Sequence, residues 1–330
     1  IPLIMQKKIY ILALLILCIC CGKSEKMQLV AASHSRVEFN NIVTESDSLN
    51  ILIYEYTYNG GGVALADFNK DGLEDIYFTG SVVDNALYLN KGNLVFDDIT
   101  KKANVSCSGS WSMGVSVIDI NNDGWLDMHI AVSGKVDPEK RKNILLVNQG
   151  LNAEGIPEFI DMAESYGLAY DGFSINSYFF DYDKDGLMDM FLINNHFTNR
   201  GDALSKRSFQ EDKNAPNLNR LFKNIDGQHF KDVTQESGLI NDAFSLSANV
   251  FDINQDGWDD IFVSNDFVTS STAFINQKDG TFKEDIASYF KHQSFSSMGV
   301  DVADFNNDGQ DDVITLDMLP QTASRIKQMF

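Results

Sequence analysis

Short apolar runs alternate along the chain with short stretches rich in Asp, Asn and Gly. The runs at 62–66, 76–78 and 261–263 combine small, β-branched and aromatic residues, and turn-forming residues bound them on each side. Runs of this length and composition predict β-strands rather than helices. Because each polar stretch lies directly between two such runs, the pattern predicts a chain built mainly of strand–loop–strand hairpins, an all-β fold.

One polar stretch recurs five times with the pattern Asp-x-(Asn/Asp)-x-Asp-Gly-x-x-Asp. We number its copies loop 1 (residues 67–75), loop 2 (119–127), loop 3 (181–189), loop 4 (252–260) and loop 5 (304–312). A single Asp-Gly pair is common in ordinary hairpin turns. A plain turn, however, does not require the Asp that stands at position 9 of all five loops. The repetition therefore predicts a shared chemical role.

Oxygen-bearing side chains at alternate positions, followed by a glycine that permits a sharp turn, are suited to enclosing a hard cation. The predicted side-chain ligands, at positions 1, 3, 5 and 9, are Asp67, Asn69, Asp71, Asp75, Asp119, Asn121, Asp123, Asp127, Asp181, Asp183, Asp185, Asp189, Asp252, Asn254, Asp256, Asp260, Asp304, Asn306, Asp308 and Asp312. The position 7 residues, predicted to offer a backbone carbonyl, are Leu73, Trp125, Leu187, Trp258 and Gln310. Calcium takes six to eight oxygen ligands, whereas magnesium retains waters, so the loops predict about five Ca²⁺ sites. Position 9 is placed to close each cage as a bidentate ligand.

The same opening pattern begins an EF-hand loop, which needs Glu at position 12 and helices on both sides. The residues at position 12 are Phe78, Ile130, Leu192, Val263 and Thr315. None is a carboxylate, and the flanking runs predict strands. The EF-hand interpretation is therefore rejected.

A second half-motif follows each of the first four loops, consisting of an apolar run, an Asn-containing turn and a run that begins with Phe. The turns begin at Asn90, Asn148, Asn224 and Asn276, and the following anchors are Phe96, Phe159, Phe230 and Phe282. Each repeat therefore predicts two hairpins, or about four strands. Four strands recurring every 52 to 71 residues are typical of β-propeller blades.

These motifs resemble those of the FG-GAP/VCBS-type repeat propellers, whose best-known members are the integrin α-subunit headpieces. The stretches Asn-Gly-Gly-Gly-Val (59–63) and Ser-Met-Gly-Val (297–300) look closer to bacterial cell-surface relatives of cartilage acidic protein. The resemblance covers roughly residues 37–318. It implies a propeller that commonly has seven blades. Since repeat 5 lacks its second half-motif, we expect the intact protein to continue beyond Phe330 and residues 37–330 to form an incomplete propeller.

The chain of 330 residues has a net charge of −21, which argues against nucleic acid or anionic lipid headgroups as partners. Sixteen of its carboxylates are predicted loop ligands, so five bound Ca²⁺ would neutralise much of this charge. The polar insertion in repeat 3, at about 194–217, is a candidate partner-contact loop.

Residues 1–21 resemble a lipoprotein-type signal peptide. Lys7 and Lys8 precede a thirteen-residue apolar run that is too short to span a bilayer comfortably. We predict Cys21 as the lipidated residue and Cys20 as the alternative; plain secretory cleavage would also give an extracytoplasmic protein. Residues 22–36 then form a polar tether. The predicted location is the bacterial outer membrane or cell surface, with a lipid anchor in the membrane.

The five His residues are scattered without metal-ligand spacing, and His129 lies within a predicted strand, where a structural role is expected. We therefore predict a non-catalytic, calcium-stabilised, surface-anchored propeller for binding or adhesion, which recognises an extracellular protein or glycan. The alternative is a propeller module of a secreted hydrolase or lyase that acts on glycans.

Overall fold

The first four repeats each fold as a four-stranded antiparallel meander in a computed structural model of the chain. The structure describes residues 27–54, 56–134, 137–196, 217–266, 269–294 and 296–317. Within each sheet, hydrogen-bonded neighbours follow one another in chain order. The all-β prediction, with two hairpins in each repeat, is confirmed for these four sheets.

The strands are numbered in chain order. Sheet 1 contains β1 (Val63–Ala66), β2 (Asp75–Phe78), β3 (Ala86–Asn90) and β4 (Phe96–Asp98). Sheet 2 contains β5 (Ser112–Ile118), β6 (Asp127–Val132), β7 (Ile144–Leu151) and β8 (Pro157–Asp161). Sheet 3 contains β9 (Ser174–Phe180), β10 (Asp189–Asn194), β11 (Arg220–Asn224) and β12 (Phe230–Asp232). Sheet 4 contains β13 (Ser245–Phe251), β14 (Asp260–Asn265), β15 (Thr272–Asn276) and β16 (Phe282–Glu284), and sheet 5 contains β17 (Ser297–Ala303) and β18 (Asp312–Asp317).

Helical segments in the described residues are single turns that connect sheets or precede them. They are α1 (Ala32–Ser35), α2 (Thr100–Ala103), α3 (Ala163–Tyr166), α4 (Ile286–Tyr289) and a 3₁₀ turn (Pro138–Lys140). Three of them, α2, α3 and α4, directly follow the last strand of a sheet. In the part of the chain that is described, no helix has the length and apolar character needed to cross a membrane.

Burial explains why the second and fourth strands differ in sequence. Every residue of β6, β10 and β14 is buried, as expected for strands covered on both faces, and their sequences are nearly continuous apolar runs. The short fourth strands β4, β12 and β16 instead bury only their first residue, which is Phe, and expose the next two. The predicted Phe anchors therefore do fix the outer hairpin of these repeats.

Successive sheets pack against one another through their first strands. β1 contacts β5, β5 contacts β9, β9 contacts β13, and β13 contacts β17. Separate apolar cores fill the spaces between consecutive sheets; Tyr77 and Met128, for example, share the core between sheets 1 and 2. Among the described residues the row of sheets is open, and both of its ends are exposed: Leu65 of β1 is 63 % exposed and Leu316 of β18 is 67 % exposed.

The segment before sheet 1 packs against the other sheets without forming a strand among its described residues. Tyr54 and Tyr56 are buried in the core that sheets 3 and 4 share. The rings of Tyr54 and Trp111 pack edge to face, with their centres 5.3 Å apart. The predicted tether also reaches the fold near its end, because Arg36 pairs with Asp97 at 3.3 Å. Residues 1–26, which include the predicted signal peptide and Cys21, lie outside the described residues.

Candidate metal-binding loops

All five loops connect the first strand of a sheet to its second strand, and position 9 is always the first residue of that second strand. The strand–loop–strand context predicted from the sequence is therefore present at each copy. Helices do not flank any of the loops, which agrees with the rejection of an EF-hand.

The five loops share one backbone conformation. Position 4 is left-handed in every loop, with φ between 57° and 61° at Lys70, Asn122, Lys184, Gln255 and Asn307. The glycine at position 6 has φ between 83° and 89°, a region that side chains with a Cβ rarely occupy. Two left-handed residues within three positions curl the chain back on itself, so the glycine is required by the geometry of the turn.

The Asp at position 1 organises this turn. In every loop one of its oxygens accepts the backbone N–H of position 5 and the other accepts that of position 6, at 2.7–3.0 Å. The Asp at position 5 accepts the N–H of position 7 at 2.8–3.0 Å. Each oxygen retains a second lone pair, so these bonds leave room for a cation.

In loops 1 to 4 the Asp at position 9 joins the loop to the rest of its sheet. In loop 2, one oxygen of Asp127 accepts the N–H of Ile120 at 2.9 Å, and the other accepts the N–H of Asn148 at 2.8 Å. The same pair of bonds occurs in loops 1, 3 and 4. The carboxylate predicted to close the cage therefore also holds the third strand against the loop.

Sequence reasoning missed the partner of position 9. The Asn near the end of each third strand was predicted only as a turn residue. Its side chain in fact donates to the carbonyl of position 8, as Asn90 does to Glu74 at 2.8 Å, and its backbone N–H bonds position 9. The recurrence of this Asn at Asn90, Asn148, Asn224 and Asn276 was the available signal.

Burial disfavours the ionised form of the position 9 carboxylates in loops 1 to 4. It raises the pKa of Asp75, Asp127 and Asp260 to about 6 and that of Asp189 to about 7, although two backbone hydrogen bonds oppose the shift. The neighbouring loop carboxylates raise these pKa values further. A divalent cation among these oxygens would relieve both desolvation and repulsion.

Loop 3 brings three carboxylates together. Oxygens of Asp181, Asp183 and Asp189 all lie within 4.8 Å of one another. One oxygen of Asp183 is buried and has no hydrogen-bond partner. An oxygen-only donor set with an unsatisfied buried oxygen fits a hard cation such as Ca²⁺. At position 3 the other loops carry Asn, whose amide donates to position 5 at 2.9 Å in loops 1, 2 and 4.

Two tryptophans at position 7 contact lysines from the preceding loop. The ammonium of Lys70 in loop 1 lies 3.9 Å from the centre of the Trp125 ring in loop 2. In the same way, Lys184 of loop 3 lies 4.6 Å from the ring of Trp258 in loop 4. Loops 1 and 2, and loops 3 and 4, are thereby joined as pairs.

His129, the one histidine predicted to be structural, is buried in β6. Its Nδ1 lies 2.8 Å from the hydroxyl of Ser177 in sheet 3, and burial lowers its pKa to about 3. It is therefore neutral and links two sheets.

A pocket of about 290 Å³ lies where the first strands begin. Its lining includes Gly62, Met113, Asn176, Leu246 and Met298, and none of its described lining residues is ionisable. The pocket offers backbone, amide and apolar groups to a ligand. Most of the repeat 3 insertion, residues 197–216, lies outside the described residues, so its predicted role as a contact loop stays a prediction.

Comparison with known families gives one match. The family model of the FG-GAP-like repeat matches residues 67–130, 181–263 and 252–315, which together make up more than half of the chain. Each matched region begins at position 1 of a loop and ends in the second strand that follows the next loop. No curated protein matches the chain.

Proposed function

Because the chain belongs to the FG-GAP-like repeat family, we propose that it is a calcium-stabilised β-propeller module that binds an extracellular protein or glycan. Each of the five loops would hold one Ca²⁺ through the side chains at positions 1, 3, 5 and 9 and the carbonyl at position 7. The convergence of Asp181, Asp183 and Asp189 in loop 3 is the observation that carries the metal assignment.

The propeller assignment adds to the separate sheets an arrangement around a common axis. It is supported by the meander order of the four complete sheets and by the contacts between their first strands, which would line the central axis. On this proposal the exposed sides of sheets 1 and 5 are the positions at which further blades would pack. The relationship to VCBS repeats and to cartilage acidic protein remains part of the same proposal.

Surface display is supported by sequence features alone. A lipoprotein-type processing site at Cys21 would place the loops outside the cytoplasm, where extracellular modules bind calcium at about 10⁻⁴–10⁻³ M. We favour binding over catalysis by analogy with the repeat family. The pocket at the start of the first strands, which offers backbone, amide and apolar groups, is one place for a ligand. The bound ions would then rigidify the hairpins, while the loops between strands contact the partner.

Calcium stoichiometry tests the metal assignment. Equilibrium dialysis of the full chain should give about five Ca²⁺ per molecule, and Asp123→Ala should lower that number by about one. Asp97→Ala is the matched control, because this exposed carboxylate of β4 lies outside the loops and should leave the number unchanged. Equal calcium content in the wild type and Asp123→Ala would contradict the assignment of loop 2.

Partner binding needs a separate experiment. The purified protein is applied to glycan and extracellular protein arrays, with calcium and with EDTA, and each captured glycan is then checked for cleavage. Calcium-dependent capture without turnover supports a binding module. Turnover of a captured glycan would overturn the non-catalytic part of the proposal in favour of a hydrolase or lyase.

A further inference from the structure

Loop 3 differs from loops 1, 2 and 4 at two positions that lie side by side in the structure. Position 3 is Asp183, where those loops have Asn. The residue before the Asn near the end of the third strand is Lys223, where the other complete sheets have Leu89, Val147 and Ile275. A charged residue therefore replaces an aliphatic one next to the loop that has gained a carboxylate.

The lysine enters the group of carboxylates from β11. Its ammonium contacts Asp183 directly and lies 3.1 Å from Asp185 Oδ2. The pair is largely shielded from solvent, since the side chains of Lys223 and Asp183 are 26 % and 19 % exposed. Partial burial strengthens this ion pair relative to a surface pair, because water screens it less.

Lys223 also replaces a hydrogen bond that the extra carboxylate removes. In loops 1, 2 and 4 the Asn at position 3 donates its amide N–H to position 5. Asp183 is acceptor-only when ionised, so it cannot donate to Asp185. The ammonium of Lys223 supplies that donor instead, and it brings a positive charge to the place where the other loops have a neutral amide.

We propose that Lys223 is an internal counter-ion that competes with Ca²⁺ for loop 3, so that loop 3 fills at a higher calcium concentration than loops 1 and 2. In loop 4, the more exposed Lys278 lies 3.2 Å from one carboxylate, that of Asp256, and should compete less. A Ca²⁺ held by Asp183 and Asp185 must displace the ammonium from both carboxylates. Without calcium, the same lysine holds loop 3 together. The inference rests on the proposed calcium sites, and it gives the module sites with different thresholds.

The test measures calcium isotherms of full-length variants by equilibrium dialysis. All carry Asp304→Ala, which removes position 1 of loop 5, so that only the four loops with a complete third strand are compared. The reference protein should bind the ions of loops 1 and 2 with one affinity and the ion of loop 3 roughly tenfold more weakly, the change expected from one partly buried ion pair, with loop 4 in between. Asp181→Ala should remove the weak ion, whereas Asp119→Ala in loop 2 should remove a strong one.

Lys223→Ile, which introduces the residue of the matching position in β15, should tighten the weak site by about tenfold or more. The double variant Asp183→Asn with Lys223→Ile restores the composition of loops 1 and 2 and should bring the calcium affinity of loop 3 to theirs. Lys184→Met is the matched control, since it removes a positive charge from the same loop without touching its carboxylates, and the weak site should persist.

Four equal sites in the reference protein would overturn the inference, as would an unchanged weak site in Lys223→Ile. Equal tightening by Lys184→Met would also overturn it, because the effect would then be one of net charge. A protein that binds no calcium at all would instead refute the proposed function. A melting curve for each variant confirms that it is folded.

Discussion

Loops 1 and 2 are joined in the same way as loops 3 and 4, yet the two pairs differ in what their lysines contact. In each pair, a lysine at position 4 of the first loop lies over the tryptophan at position 7 of the second. No ion pair between Lys70 or Lys184 and its own loop occurs among the described residues. Only in the second pair do further lysines reach the carboxylates: Lys223 contacts two of them in loop 3, and Lys278 contacts one in loop 4.

The comparison shows that the direction of approach decides what a lysine does near a proposed cation site. Lys70 and Lys184 lie at a left-handed position of the turn, from which their side chains extend to the neighbouring loop. Lys223 comes from the third strand and points into its own loop. The first arrangement joins two loops and provides their carboxylates with no lysine partner, whereas the second occupies carboxylates that a metal would use.

Calcium removal should produce the largest effect. A ligand bound only by the folded state stabilises it by about 2.7 kcal/mol per site at 100 times Kd. Replacing excess calcium with EDTA should therefore lower the melting temperature by more than about 10 °C. Magnesium at the same concentration should not restore it. An unchanged melting curve would refute structural calcium in both pairs.

Hydrogen exchange in EDTA tests whether Lys223 orders loop 3 when calcium is absent. The amides of Asp185 and Gly186 in loop 3 should gain less exchange than those of Asp71 and Gly72 in loop 1, because Lys223 still bonds the loop 3 carboxylates. Equal gains in the two loops would show that the lysine does not order loop 3.

Loss of the position 9 carboxylate should come next in magnitude. Asp127→Ala leaves the N–H groups of Ile120 and Asn148 without their acceptor, at a cost of about 1–3 kcal/mol each. Relief of the buried charge offsets part of this cost, so we expect a net loss of about 2 kcal/mol in EDTA, measured by urea unfolding. Asp123→Ala, at an exposed position 5, should cost less than about 1 kcal/mol under the same conditions. Equal losses would show that position 9 acts only through the metal.

The strands and hairpins could be predicted from the sequence because their signals are local. Each apolar run is bounded by its own loop or Asn turn, and Phe96 or Phe282 marks the outer strand within a few residues of that turn. The hydrogen bond from the backbone N–H of Asn148 to Asp127 could not be predicted, because it joins residues 21 positions apart whose contact depends on strand register.

Lys223 was overlooked for a related reason. A lysine in a short strand is ordinary, and its partner at Asp183 lies 40 positions earlier in the chain. The packing of Tyr54 and Tyr56 among distant sheets likewise leaves no periodic pattern in the sequence. In all three cases, long-range contacts in the tertiary structure determine the role of the residue.

Stability should depend on pH in opposite directions with and without calcium. A carboxyl whose pKa is raised in the folded state contributes stability at low pH that is lost as the pH rises through that value. In EDTA, lowering the pH from 8 to 6.5 should therefore raise the melting temperature, chiefly through Asp189 with its pKa of about 7. With calcium near the midpoint of binding, the same change should lower it, because protons compete for the ligands.

The pH range of this experiment ends at 6.5 because of His129. Burial lowers the pKa of His129 from its ordinary 6.5 to about 3, so below pH 6.5 the histidine takes up a proton in the unfolded chain but not in the folded protein, and unfolding is favoured. Asp189→Asn should flatten the slope in EDTA more than Asp127→Asn, whose carboxyl has a pKa of about 6. A slope of the opposite sign in EDTA would contradict the raised pKa values.

The smallest effect should come from the contacts that join the loops in pairs. An exposed cation–π contact contributes about 0.5–1 kcal/mol, so Lys70→Met should lower the free energy of unfolding by that amount in saturating calcium. Lys184→Met should lower it by somewhat more, because Lys184 also donates a hydrogen bond to the carbonyl oxygen of Gly257. Trp125→Leu and Trp258→Leu introduce the position 7 residue of loops 1 and 3, and double-mutant cycles with the lysines should recover the same coupling in both pairs. Coupling in only one pair would show that the two lysine–tryptophan contacts are not equivalent. Asn122→Ala is the control, because loop 3 has Leu187 at position 7 and no such contact is expected between loops 2 and 3.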